Sequence, residues 1–517
     1  MRCEIFTVCP RLLLHGNTAR HSTVTMQTHV QIPNAPSREP VHAAYPQRIG
    51  ILNDYVRVPF ANGSSFASQF LFREFQARGH DVSVIGPSDP QAASADLPPG
   101  CVTLASGPLR NHPGVRVALP TPQRLREVES RQLDLVLGQS GNELIDLGVW
   151  LRAKHGVPFL AVNTMHLPSY YNVILPDRLS ESSLVQRVFE QGVIPWLERH
   201  SAQVYNQGDG LIVLSQGLER YWRERGVTVP IHVIPRAIDP KIFDAPAACD
   251  PFDKRAKQGQ RLLCVCRHSR EKSLKRMIEI FARYIAPNAL DATLTLVGDG
   301  PDHDSFKADA KRLGVEDRVF FPGEIPLQRI VDFYRHADLF VYASRSETYG
   351  QVISEALYCG LPVVAFEDGM GVSDQISSGS DGVLVPSGPH EGQADWRFGG
   401  EVVGLLHHAS LRNAYSAQAR KNARLRCDPE RCIQRYYAAF RHARQHCART
   451  WTKDQSSLAP LLRWTSINGA LIGLGLIRPP TIVNRHGRKQ PNWGLRPSAP
   501  PEAAAMPEAR SSAEVRP

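Results

Sequence analysis

Between Leu339 and Phe366 the chain alternates short apolar runs with a helical stretch, and this pattern constrains the fold more than any other. Leu339–Ala343 (LFVYA) reads as a short buried strand, and Gln351–Cys359 reads as a helix stopped by Gly360 with Pro362 beyond it. Leu361–Phe366 (LPVVAF) then restarts a strand. A helix between two buried strands makes them parallel neighbours in one sheet. The alternation recurs in Arg48–Asn53 (RIGILN), a helix over Phe66–Arg78, and strands at His80–Ile85, Leu133–Leu137, Pro158–Val162, Gly210–Ser215 and Ala292–Val297. Repeated strand and helix units of this kind build α/β layers. With 517 residues, 42% of them hydrophobic, the chain can bury two such cores.

The first unit also carries chemistry. In SRSETYGQVISEALYCGLPVVA, Glu347 and Glu355 stand on either side of a helix start with seven residues between them. Glu347, Thr348, Tyr349 and Gly350 fall in the strand-to-helix turn, where unpaired backbone N–H groups and the positive helix end face any bound anion. A diphosphate fits there. Glu355, about two turns deeper, can accept two hydrogen bonds from a ribose diol. A glutamate pair at this spacing, taken alone, equally suits an exposed helix face.

The surrounding segments decide between these readings. From about Arg48 to Cys447 the chain resembles the retaining glycosyltransferases of family 4, whose α/β architecture, GT-B, sets two Rossmann-like domains across a central cleft. Arg267 and Lys272, in LLCVCRHSREKSLKRMIEIF, match the basic pair that grips the donor diphosphate. Gly298 lies in the Gly298-Asp299-Gly300-Pro301 turn, and Val319–Ile325 (VFFPGEI) matches the segment whose backbone meets the nucleotide base. The resemblance implies donor contacts from Arg267, Lys272, Gly298, Ile325, Thr348, Tyr349, Gly350 and Glu355. It gives Glu347 the role of orienting sugar hydroxyls. His166, in NTMHLPSYY at the end of a strand, resembles the histidine loop of enzymes that glycosylate glycerolipids or inositol lipids. It would sit beside the attacking hydroxyl, with Tyr170 or Tyr171 walling the acceptor.

Several positions depart from the family pattern. Asn62-Gly63 stands where two glycines are usual, Arg236-Ala237 where Asn-Gly is usual, Cys266 in place of a Gly, and Asp374 in place of a Glu. The implied domain plan is a leader over 1–45, an acceptor domain over 46–235 and a donor domain over 236–430. A crossover helix over 431–452 and a basic tail with an apolar segment over 453–517 complete it. The leader and the end of the tail read as disordered from their composition.

The implied reaction is transfer of a hexose, with retention, from a UDP- or GDP-sugar to an acceptor, a glycerolipid or other membrane lipid being favoured over a soluble or polysaccharide acceptor. No cofactor and no metal are expected, because the basic pair neutralises the leaving diphosphate and no Asp-x-Asp motif follows a strand. A sugar-nucleotide epimerase of the same fold is the alternative. A dinucleotide enzyme is disfavoured by the missing Gly-x-Gly-x-x-Gly spacing. The ten cysteines show neither disulfide nor zinc spacing, and Cys264 and Cys266 read as core residues of a strand. From Val403 onward there are 19 Lys and Arg against 6 Asp and Glu, so the overall net charge of +10 is C-terminal in origin. That excess, beside the apolar run Leu458–Ile477, suggests a cytoplasmic enzyme held peripherally on an anionic inner leaflet, the alternative being that the run packs on the catalytic domains and the arginines are solvated. No aromatic-interleaved basic motif supports nucleic-acid binding.

Overall fold

The computed structural model describes residues 48–54, 63–89, 97–108, 116–140, 144–164, 183–246, 248–344, 347–388 and 390–473, all within one compact unit. Two sheets organise them. The first has eight strands: β1 (Arg48–Asn53), β2 (Asp81–Pro87), β3 (Val102–Pro108), β4 (Arg116–Leu119), β5 (Leu135–Gln139), β6 (Phe159–Val162), β7 (Gly210–Val213) and β8 (Ile231–Val233). Their spatial order is β4-β3-β2-β1-β5-β6-β7-β8, parallel throughout except for the β3–β4 pair. Strands β5, β6 and β7 are buried along their whole length. They read as unbroken apolar runs because both faces of a parallel sheet are covered.

The second sheet contains β9 (Arg261–Val265), β10 (Thr293–Val297), β11 (Val319–Gly323), β12 (Leu339–Tyr342), β13 (Val363–Phe366) and β14 (Gly382–Val385). They are ordered β11-β10-β9-β12-β13-β14, and every pairing is parallel. In each sheet the strand order reverses direction once, between β1 and β5 and between β9 and β12. Open α/β sheets bind ligands at the carboxyl ends of the strands at such a reversal.

Nine helices matter for the site: α1 (Gly63–Ala77), α2 (Leu144–His155), α3 (Gln216–Glu224), α4 (Leu274–Ile280), α5 (Leu327–His336), α6 (Gln351–Tyr358), α7 (Ala409–Arg426), α8 (Pro429–Thr450) and α9 (Leu458–Gly473). The chain leaves the first sheet after β8 and returns to it through α8. Tyr436, Tyr437 and Phe440 of α8 close around Phe75 of α1, with ring centroids 5.5–6.2 Å apart. Asp428 caps α8 by accepting from the Arg431 N–H at 2.7 Å.

Three expectations are corrected here. The first sheet is mixed, because β3 and β4 form an antiparallel edge that strand–helix alternation does not reveal. Helix α1 begins at Gly63, three residues earlier than its apolar pattern suggests. The apolar run after Leu458 does not lie free for a headgroup layer along its whole surface. It forms α9, whose Trp464 is fully buried and donates from Nε1 to the Ala118 carbonyl at 3.0 Å. Asn468 Nδ2 reaches the same oxygen at 3.0 Å, and Arg463 Nε meets Asp146 of α2 at 2.7 Å. Leu458, Leu462 and Ile472 of α9 remain exposed.

Candidate active site

At the reversal in the second sheet, β9 and β12 deliver two segments to one point. The turn after β9 carries Arg267 and Lys272, and the turn after β12 carries Glu347 to Gly350. Lys272 Nζ forms an ion pair with Glu347 Oε1. Tyr342 OH donates to the same oxygen at 2.7 Å and Ser344 Oγ at 3.0 Å. Burial disfavours charge on Glu347, but Lys272 and these hydrogen bonds outweigh it and hold the carboxyl below the ordinary glutamate range. Lys272 answers in kind: burial pulls its pKa down, and Glu347 more than restores it. All three side-chain hydrogen bonds fall on Oε1, so among the described residues no side chain donates to Oε2. Arg267, on the same turn as Lys272, is exposed.

The turn itself is clamped. Gly350 takes φ +75°, a left-handed conformation open to glycine, and leads directly into α6. Gly371 lies against the turn so closely that a Cβ there would come within 2.5 Å of Tyr349 Cα. Gln375 holds the same backbone, donating from Nε2 to the Tyr349 carbonyl and to that of Gly371 at 2.9 Å. Thr348 Oγ1 donates to the Thr164 carbonyl at the end of β6 at 3.4 Å. The Tyr349 ring is buried and its hydroxyl accepts from Ser354 Oγ at 3.0 Å, so this residue offers a ligand its backbone alone.

Glu355 sits deeper, on α6, and is buried. Tyr334 of α5 donates to its Oε2 at 2.8 Å. Burial pushes the Glu355 carboxyl up to about 7, against the opposing effect of that hydrogen bond. On the other side of β9, Gly298 takes φ +134°, and a Cβ there would lie 1.9 Å from the Cys266 carbonyl oxygen. Ile325, just after β11, packs on the second core. His268 and His303 flank the Gly298–Pro301 turn, their Nδ1 atoms 2.8 Å apart. Among the described residues no three His, Cys, Asp or Glu side chains converge as a metal site.

The first sheet contributes less that can be described. His166, Asn62 and Tyr170 lie outside the described residues, and Gly63 opens α1. Thr164, bonded to Thr348, precedes His166 by two positions. Residues not anticipated from sequence also line the carboxyl ends of β1 and β5. Ser140 Oγ donates to Asp54 Oδ1 at 2.6 Å, with both residues buried, and Gln139 Nε2 reaches Tyr436 OH at 3.4 Å. Their signal was present as polar residues closing apolar strands. Asp374 bridges the two halves by accepting from the backbone N–H groups of Gln216 and, at 3.1 Å, Gly217 at the start of α3.

Comparison with known proteins accounts for both sheets. A family model described as Glycosyltransferase Family 4 matches residues 62–242, and one described as Glycosyl transferases group 1 matches residues 250–421. The chain belongs to glycosyltransferase family 4. This family 4 enzyme is 26% identical over 326 residues to the alpha-monoglucosyldiacylglycerol synthase of Streptococcus pneumoniae, a match covering 62% of the chain and 70% of that relative. It is 25% identical over 401 residues to the GDP-mannose-dependent alpha-mannosyltransferase of Mycobacterium tuberculosis, covering 75% of the chain and 95% of the relative. Among solved structures, that of Anabaena HepE in complex with UDP and glucose superposes with a TM-score of 0.56 at 17% identity, over 76% of this chain and 98% of the other. The fold of this glycosyltransferase is therefore GT-B, with two Rossmann-like domains.

Proposed function

We propose that this glycosyltransferase moves a hexose from a UDP- or GDP-sugar, with retention, to a membrane-lipid acceptor. The observation that carries the reading is the Lys272–Glu347 pair at the reversal of the second sheet, with one glutamate oxygen fixed by three donors and no described side chain donating to the other. As the sugar–phosphate bond breaks, negative charge grows on the diphosphate. Arg267, Lys272 and the backbone N–H groups of Thr348 to Gly350 are placed to stabilise it in a partly desolvated site. The second Glu347 oxygen accepts from sugar hydroxyls, Glu355 accepts from the ribose, and the Ile325 backbone meets the base. The departing phosphate takes the acceptor proton on the same face, and the family resemblance gives His166 its role beside the hydroxyl. No divalent cation is required in this scheme.

Two similar proteins support donor and acceptor: the HepE structure holds UDP and glucose, and the pneumococcal relative is a monoglucosyldiacylglycerol synthase. For the membrane, the support is the C-terminal basic excess and the exposed Leu458, Leu462 and Ile472 of α9. No helix among the described residues is long and apolar enough to cross a bilayer. Incubating the enzyme with UDP- and GDP-hexoses and a lipid extract, with and without EDTA, tests the reading by mass and anomeric configuration of the product. An α-linked glycolipid formed equally well in chelator is expected. An inverted product, an epimerised sugar nucleotide, or activity restored only by manganese would overturn it.

A further inference from the structure

Arg236 lies in the short linker between β8 and the helix Pro240–Phe243, where the chain passes from the first sheet to the second. Its position in space is fixed from both sides. Cys432 Sγ of α8 donates to the Pro235 carbonyl at 3.5 Å, and the Ile238 N–H donates to the Cys427 carbonyl at 3.0 Å. The groups whose charge bears on its guanidinium are Tyr436, Tyr349 and Glu347. They come from α8, from the turn after β12 and from the Lys272 pair, so Arg236, which follows the carboxyl end of β8, lies within electrostatic reach of the Glu347 side of the site.

Among the described residues this guanidinium has no hydrogen bond or ion pair of its own. The carboxylate within electrostatic reach, Glu347, spends its bonded oxygen on Lys272, Tyr342 and Ser344. The nearest acid in sequence, Asp239, pairs with Arg73 at 3.1 Å and caps the helix Pro240–Phe243. An arginine that is half-buried and lacks an anionic partner is costly to keep, since a charge withdrawn from water needs compensation. Burial accordingly depresses its pKa below the ordinary arginine value. The planar fork of five N–H donors suits two oxygens of one phosphate or carboxylate.

We infer that Arg236 binds an anionic oxygen pair of the ligand at the sugar end of the donor site, beside Glu347. The pair belongs either to the donor diphosphate or to a carboxylate on the transferred sugar. Either source makes Arg236 a binding and specificity residue supplied by the linker between the sheets, in addition to Arg267 and Lys272. The inference rests on the donor-site reading proposed above.

Calorimetric titration of Arg236→Gln, Arg236→Lys and Lys272→Ala with UMP, UDP, UDP-glucose and UDP-glucuronic acid, and with the guanosine series in parallel, separates the possibilities. If the diphosphate is the partner, Arg236→Gln weakens UDP and both sugar nucleotides by about tenfold to a hundredfold and leaves UMP unchanged. If a sugar carboxylate is the partner, the loss is confined to UDP-glucuronic acid. Arg236→Lys, which keeps the charge and loses the fork, falls between wild type and Arg236→Gln and serves as the test should the glutamine variant fail to fold. Affinities within twofold of wild type for both Arg236 variants, while Lys272→Ala still loses UDP, would sink the Arg236 assignment and leave the donor site standing. Unchanged binding in Lys272→Ala as well would remove the donor-site reading itself.

Discussion

Replacing Glu355 by Gln should stabilise the free enzyme above neutral pH while removing its hold on the nucleotide. Burial raises the folded-state carboxyl from an ordinary value of 4.5 to about 7. A carboxyl raised in this way favours folding fully below the unfolded pKa, and that contribution disappears as pH rises through the folded one. Relative to a glutamine that never ionises, the native residue is therefore neutral in its effect below about pH 4.5. It becomes a growing liability up to about pH 7 and a constant one above pH 8. At about 1.4 kcal/mol per pH unit the plateau is about 3 kcal/mol. The Tyr334 hydroxyl, 2.8 Å from Oε2, keeps an acceptor in the variant, and any cost of the new amide group is independent of pH. For a half of this size unfolding as a unit, about 3 kcal/mol moves the midpoint by roughly 6–12 °C. Thermal unfolding of both proteins at pH steps from 5 to 9 gives the difference directly. Saturating UDP should raise the midpoint of the wild type and not that of the variant. A wild-type-to-variant difference that stays flat from pH 5 to 9 would refute the burial argument, and UDP stabilisation surviving in Glu355→Gln would refute the ribose role.

Other outcomes are accessible to simpler measurements. Trp464→Ala should cost about 3–5 kcal/mol in denaturant unfolding, because a fully buried ring and its bond to Ala118 are lost together; a change under about 1 kcal/mol would mean α9 is not docked. Gly298→Ala should strain the turn by roughly 1–3 kcal/mol and weaken UDP at least tenfold, since its Cβ would meet the Cys266 carbonyl oxygen at 1.9 Å; normal UDP affinity in this variant would show that the turn tolerates a side chain. Changing Leu458, Leu462 and Ile472 together to Gln should reduce sedimentation with anionic vesicles and leave the unfolding midpoint within about 2 °C. Vesicle binding equal to wild type would move the membrane contact elsewhere.

The second sheet and its site were readable to the extent that they are local in sequence. The β12–turn–α6–β13 unit announces itself because strand, turn and helix follow one another, and Gly350 and Gly298 mark their turns by composition. Glu347 and Glu355 could be named but not described. The donors that fix Glu347 include Lys272, 75 positions away, and the hydroxyl on Glu355 comes from Tyr334 on another helix. The β3–β4 edge escaped because a four-residue antiparallel strand has too few positions to establish a period. The apolar residues of α9 suggested a lipid contact from composition, whereas the burial of Trp464 depends on a carbonyl of β4, 346 positions earlier. Arg236 was visible only as a departure from the family pattern, and its lack of a partner among the described residues is a property of the assembled fold.

The two passages of the chain between the halves, at Pro235–Ile238 and at Cys427–Cys432, touch each other through the Pro235 and Cys427 carbonyls. A body joined to another by two adjacent straps has a fulcrum there and a long lever arm elsewhere. Any opening of the cleft must then part the contacts between the halves, Asp374 from α3 and Thr348 from Thr164, while the strap residues keep theirs. Spectroscopic labels spanning the α3–Asp374 contact would register an opening that labels across the Pro235–Cys432 contact would not.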